Sequence, residues 1–209
     1  MEILAIIPAR GSSKRFPRKN LALFRGESLL ARTINQAKES KHITRIVVTT
    51  DDEEIAEVAK QNKVYVIKRP IALAKGEVGS MIKTIQHTLE TLRRNEDYKA
   101  WAVVLLQVTS PLRTADDIDG TIALMKETKT DSAISVSLGK MNYAWEDYWS
   151  PLENYPENGA IFVSRYYVMK EYGKVVNTNS LVLYHMPVER SIDINTKEDL
   201  EKYNVSIYR

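Results

Sequence analysis

The stretch "ILAIIPARGSSKRFPRKNL", residues 3–21, sets a nearly continuous apolar run against a turn carrying five cationic side chains, Arg10, Lys14, Arg15, Arg18 and Lys19. A run of that kind suits a strand buried on both faces, as in a largely parallel sheet covered by helices. Ligands of such sheets sit beyond the carboxyl ends of the strands, which is where the cationic turn falls.

Working outward, the same rhythm continues. Strands are expected at Ile3 to Ile7, Arg45 to Thr50, Val64 to Lys68, Ala102 to Gln107, Ser132 to Ser137, Ala160 to Val163 and Ser180 to His185. Between them, Leu29, Leu30, Ile34 and Ala37 share one helical face, and Met81, Ile82, Ile85, Leu89 and Leu92 share another. The alternation reads as βαβ units and therefore as an α/β fold. With 209 residues, 44% of them hydrophobic, the chain can bury a sizeable core, and a single domain over residues 1–209 is expected.

Charge and composition exclude several classes of function. A net charge of +3 with evenly spread acidic residues does not describe a protein that coats nucleic acid, so the basic cluster is local. There is no cysteine, hence no disulfide framework and no thiolate metal site, which fits a cytoplasmic protein. Pro8 and the charges after it cut the N-terminal apolar run short of a signal peptide or membrane span. One segment breaks the rhythm: "GKMNYAWEDYWSPLENYP", Gly139 to Pro156, holds Tyr143, Trp145, Tyr148, Trp149 and Tyr155 without a clean period. Residues 139–157 are read as a short flap or subunit interface, or as simple loop packing.

The first turn has its own chemistry. Gly11, Ser12 and Ser13 allow successive backbone N–H groups to form an anion-binding concavity. Arg10 adds a planar fork suited to paired phosphate oxygens, and Lys14 and Lys19 add mobile point charges. A triphosphate is the natural guest, although neither the G-x-G-x-x-G nor the G-x-x-x-x-G-K-[ST] phosphate loop is present. The plain alternative is a solvated basic loop.

"IPARGSSKRFPRKNL" closely resembles the opening signature of the acylneuraminate cytidylyltransferases, the CMP-sialic acid synthetases. "VVTTDD" (Val47 to Asp52), "KRPIALA" (Lys68 to Ala74), "LLQVTSPLR" (Leu105 to Arg113), "NGAIFV" (Asn158 to Val163) and "SIDINTKEDL" (Ser191 to Leu200) resemble later motifs of that family in the same order. The resemblance implies a Rossmann-like, three-layer α/β/α nucleotidyltransferase fold with a mostly parallel sheet and a short dimerisation or acceptor flap. It implies CMP transfer from CTP to the anomeric hydroxyl of a nonulosonic sugar acid, with release of pyrophosphate and dependence on Mg²⁺. Kdo, legionaminate or pseudaminate as acceptor, or a non-catalytic nucleotide-binding protein, are the alternatives. A homodimer is expected, and no nucleic-acid or membrane partner.

By the same resemblance Arg10, Ser13, Lys14, Lys19 and Asn20 surround the triphosphate, Arg69 and Ser80 lie around the cytosine, and Gln107 and Asn158 approach substrate. Lys19 is the leading catalytic candidate, with Arg10 and Asp193, because negative charge grows on the departing pyrophosphate. Arg113 is equally readable as a structural ion-pair residue. The family's usual Asp-x-Asp metal pair is here Asp193 and Asn195, so the site has lost one negative charge while keeping a carbonyl oxygen. Asp51 and Asp52 are possible contributors, with a helix N-terminus as the simpler reading. The basic residue of the family's acceptor segment has no counterpart, leaving Lys140, Arg165 or Lys170 as candidate cations for a sugar carboxylate.

Overall fold

The chain is represented by a computed structural model that describes residues 1–13, 15–74, 80–137 and 157–204, with only the backbone of Glu157. Along the chain lie β1 (Ile3–Pro8), β2 (Leu23–Phe24), β3 (Glu27–Ser28), α1 (Leu29–Glu39), β4 (Arg45–Thr50), α2 (Glu53–Gln61) and β5 (Tyr65–Lys68). They are followed by α3 (Ser80–Glu96), β6 (Ala102–Leu106), α4 (Ala115–Thr128), β7 (Ser132–Ser137), β8 (Glu157–Arg165), α5 (Tyr166–Lys170), β9 (Leu181–Met186) and α6 (Lys197–Asn204).

Seven of these strands form one sheet in the order β5-β4-β1-β6-β8-β7-β9. Leu4 pairs with Arg45 and Val103 in parallel ladders on either side of β1. Strand β8 alone runs against its neighbours, with Ala102 opposite Arg165 and Ser132 opposite Ser164. The sheet is therefore mostly parallel, as expected, and every strand of the sheet was foreseen. The strand expected at Ala160 to Val163 is longer, however, and Glu157, assigned to the flap, belongs to β8. Its extension is held by ladders on both sides.

Alternation along β1 divides the core into two layers. Ile3, Ala5 and Ile7 pack with Val104 and Leu106 against Leu30 and Ile34 of α1, Ile55 of α2 and Ile118 and Ile122 of α4. Leu4 and Ile6 face the other way, with Val103 and Leu105, onto Ile85, Leu89 and Leu92 of α3 and Met169 of α5. Each such side chain, fully buried, contributes roughly 1.5–3 kcal/mol relative to exposure. Helices on both faces leave only the ends of the strands open to a ligand.

Caps written in the sequence set where the helices start. Ser28 accepts from Ala31 N at 3.1 Å to open α1, and Thr114 and Asp117 form a reciprocal capping box on α4. The two-stranded ribbon β2–β3, not anticipated from the sequence, turns through Arg25 (φ 53°) and Gly26 (φ 85°). Two consecutive positive φ values are what a two-residue hairpin of the favoured twist requires. Asn204 Oδ1 accepts from Arg25 N at 2.6 Å, which ties the end of α6 to this ribbon.

Candidate functional site

The loop after β1 is built on the neighbouring strand β4. Ala9 N donates to Thr49 O at 3.0 Å, and Gly11 N donates to Asp51 Oδ1 at 3.3 Å. A Cβ at position 11 would stand 2.5 Å from Asp52 Oδ2, so only glycine lets the loop press against that carboxylate. Asp52 also caps α2 by accepting from Ile55 N at 3.0 Å, which bears out its reading as a helix N-terminus. Both acidic residues thus serve as scaffolding for the first loop.

That scaffolding sorts the five cations. Arg18, at φ 59°, donates to Asp52 Oδ2 at 2.8 Å and pairs with Glu54, so its charge is committed to holding the loop. Arg10 and Arg15 are exposed, Ser13 is half-buried, and Lys14 lies outside the described residues. Asn20 is buried, and its amide donates to Arg10 O at 2.8 Å, which fixes the backbone from which Arg10 projects.

Lys19 opens a short 3-10 turn, Lys19–Leu21, and points into the fold. Its Nζ donates to Asn195 Oδ1 at 3.3 Å, and Asn195 Nδ2 donates to Asp193 Oδ2 at 2.6 Å. Burial lowers the Lys19 pKa to about 8, with Arg15 and Arg10 pushing the same way and Asp193 and Asp199 opposing. Asp193 is 3% exposed and its Oδ1 is left without a hydrogen bond. Burial pushes that carboxyl up from its ordinary value, against the pull of Thr109, Lys19 and Asn195. Lys19 and Asp193, of opposite charge, therefore stand on either side of one amide, and one oxygen of Asp193 is left unsatisfied.

The stretch bearing Asp193 is tethered at three points. Ser191 Oγ accepts from Asn158 Nδ2 at 2.9 Å, Ile194 N donates to Thr109 O at 2.8 Å, and Asn195 N donates to Asp199 Oδ2 at 2.9 Å. Asp199 also accepts from Thr196 N at 2.8 Å, heading α6. Asp199 and Ser191 were not singled out from the sequence. The Thr196-x-x-Asp199 spacing is a capping signal that would have found Asp199; Ser191 carries no comparable mark.

The remaining expected residues divide by environment. Arg69 is buried, donates to Asp51 Oδ1 at 3.3 Å, and keeps a partnerless Nε; burial lowers its pKa, Asp51 opposes, and the charge of Arg10 adds to the lowering. Ser80 heads α3, and Gln107 follows the carboxyl end of β6, both half-buried. Asn158 is 2% exposed: Oδ1 accepts from Ser135 Oγ at 2.6 Å and Ala160 N at 3.1 Å, and Nδ2 reaches Met186 Sδ as well as Ser191. Its amide is thus spent within the protein, holding the Asp193 stretch to β7 and β8.

Arg113 is fully buried and donates to Gln107 O, Ala160 O and Gln36 Oε1 at 3.1, 2.7 and 2.9 Å. It is structural, although its partners are carbonyls; Asp117 pairs instead with Arg190 at 2.7 Å. Arg165 lies opposite Ala102 at the amino end of β6, stacked 4.3 Å over Trp101, and Lys170 pairs with Glu90 from α5. Neither stands with Lys19 and Asp193, which corrects both as cations for an acceptor carboxylate. Lys140 and the aromatic segment lie outside the described residues.

Arg10, Lys19, Asn20, Arg69, Asp193 and Asn195 thus come together at one end of the sheet, cationic on balance and open through Arg10 and Arg15, which suits a polyanion. Among the described residues no group of three or more His, Cys, Asp or Glu is placed to hold a metal, and no helix is long and apolar enough to cross a membrane.

The family model described as Cytidylyltransferase matches residues 4–205. The chain is 30% identical over 220 residues to a CMP-N,N'-diacetyllegionaminic acid synthase from Legionella pneumophila, covering 95% of this chain and 93% of that protein. It is also 30% identical to an N-acylneuraminate cytidylyltransferase from Escherichia coli O18:K1:H7, covering 96% of this chain and 51% of that protein, so it spans about half that relative's length. In structure it is similar to a CMP:2-keto-3-deoxy-manno-octonic acid synthetase complexed with CTP, with a TM-score of 0.73, 15% identity, and coverage of 98% of this chain and 97% of that one.

Proposed function

The chain belongs to the cytidylyltransferase family, and on that premise we propose that it transfers CMP from CTP to the anomeric hydroxyl of a nonulosonic, sialic-acid-like sugar acid. The observation that carries the reading is the Lys19–Asn195–Asp193 cluster beside Arg10, at the carboxyl end of β1, in a chain aligned over nearly its whole length with a legionaminate-activating relative.

In this reading the anomeric oxygen forms a bond to the α-phosphorus as the bond to the leaving pyrophosphate breaks, and the hydroxyl proton passes to solvent. Lys19 faces the charge that grows on the leaving group, and Arg10, on a backbone fixed by Asn20, holds phosphate oxygens in line. Ser13 and Lys14 complete the phosphate side, and Arg69 and Ser80 the cytosine side. Gln107 stands toward the acceptor, and Asn158 acts through Ser191 on the placement of Asp193.

The carboxylate of Asp193 fits a hard divalent cation, and its Oδ1, which makes no hydrogen bond, is the atom that would hold one. Mg²⁺ held there would neutralise triphosphate charge. A cysteine-free chain suits the cytoplasm, and residues 139–157 are the proposed dimer and acceptor segment.

Pyrophosphate release from CTP and Mg²⁺, with N-acetylneuraminate, legionaminate, pseudaminate and Kdo supplied separately, tests the proposal. One acid is expected to give a response well above the rest. CTP binding with no release across the panel would overturn it.

A further inference from the structure

Asn195 occupies the place where an Asp-x-Asp metal pair carries its second carboxylate, and its contacts differ from those of a ligand. The amide nitrogen donates to Asp193 Oδ2 at 2.6 Å, and the amide oxygen accepts from Lys19 Nζ at 3.3 Å. A carboxylate at this position would set two anionic oxygens at that short separation, which is tolerable only with a cation or proton between them. An amide places an N–H there instead, satisfying one Asp193 oxygen from within the protein.

We propose that Asn195 is a positioning residue that bridges Lys19 to Asp193, doing internally what a cation between two carboxylates would otherwise do. Two further contacts fix the bridge. Its backbone N–H donates to Asp199 Oδ2 at 2.9 Å, and Ile194, one residue earlier, is bonded to Thr109 O at 2.8 Å. Only Asp193 Oδ1 remains for a metal, so the two-residue pair offers a cation a single committed oxygen and leaves the rest of its shell to phosphate and water. Lys19 and Asp193 are in register before any nucleotide arrives.

The bridge does not depend on the transfer reaction, and its test uses nucleotide-free protein. Mn²⁺ is titrated into wild type, N195D and N195A while the free ion is followed by electron paramagnetic resonance. N195D is expected to bind Mn²⁺ about tenfold more tightly than wild type or better, because a carboxylate replaces the N–H donor. N195A should bind no more weakly than wild type, since the amide oxygen is not a ligand. Weaker binding by N195A, or no gain in N195D, would overturn the bridge.

Should N195D fail to fold, the side-chain amide resonances of Asn195 serve as a second readout. They are expected to shift and to exchange faster with solvent in D193A, and unchanged resonances would sink the proposal. Silence across the panel of sugar acids would count against the transfer reaction and leave both readouts intact.

Discussion

Two inward-facing cations, the buried Arg113 and the half-buried Lys19, belong to neighbouring regions of the molecule, the segment after β6 and the loop after β1. Burial lowers both, Arg113 to about 9 and Lys19 to about 8. Arg113 donates to three protein oxygens, and its planar fork stays charged at neutral pH. Among the described residues Lys19 makes a single donation at 3.3 Å, with two arginines crowding it and the half-satisfied carboxylate of Asp193 on the far side of its partner Asn195. One region uses its cation to join β6, β8 and α1; the other keeps its cation short of partners, as a site awaiting an anion would.

Removing each cation should separate stability from turnover. Lys19→Ala is expected to reduce kcat by about 10²–10³, the loss typical of one donor aimed at developing charge, while the unfolding free energy stays within about 0.5 kcal/mol of wild type. Near-normal turnover would erase the distinction. Arg113→Met should cost about 3 kcal/mol in urea unfolding, because carbonyls sealed around the guanidinium lose their donors. A fold as stable as wild type would show that Arg113 is not the brace.

The finest expected effect is on pH. Protons leave Lys19 in the folded protein near pH 8, below the usual lysine value, so the unfolded chain holds more protons between about 8 and 10.5 and stability contributed by this group rises with pH there. Phosphate attraction goes the other way. The kcat/KM for CTP should fall up to about tenfold per pH unit above 8, and Lys19→Arg should move that limb upward. A flat profile in wild type would detach Lys19 from the triphosphate.

Much of the fold was open to reading because the apolar runs alternate so regularly. Ile3 to Ile7 and Ala102 to Leu106 can be strands only if both faces are covered, and the helical faces between them supply the cover. The ribbon β2–β3 was not seen, since two-residue strands have no period and the turn uses Arg25 where asparagine or aspartate would have announced it. The reversed direction of β8 has no local signature, because it is set by pairing with β6 and β7, strands supplied by other parts of the chain.

At the site, the residues recognised by kind were Lys19, Asp193 and Asn195, and the structure gathers all three. What escaped were partnerships across long separations. Charge counting treated Arg18 as equal to Lys19, yet Asp52 and Glu54 claim it. Asn158, expected to approach substrate, is enclosed by Ser135, Met186 and Ser191.

The contact between Lys19 and Asn195 spans 176 residues of chain. During synthesis at roughly 5–20 residues per second, about 10 to 35 seconds pass between the appearance of one partner and the other. For that interval the nascent chain carries its cationic loop without the side chains that Lys19 meets in the fold. Competence therefore arrives late and all at once, and a product cut short before position 193 would hold a charged loop with nothing to work against.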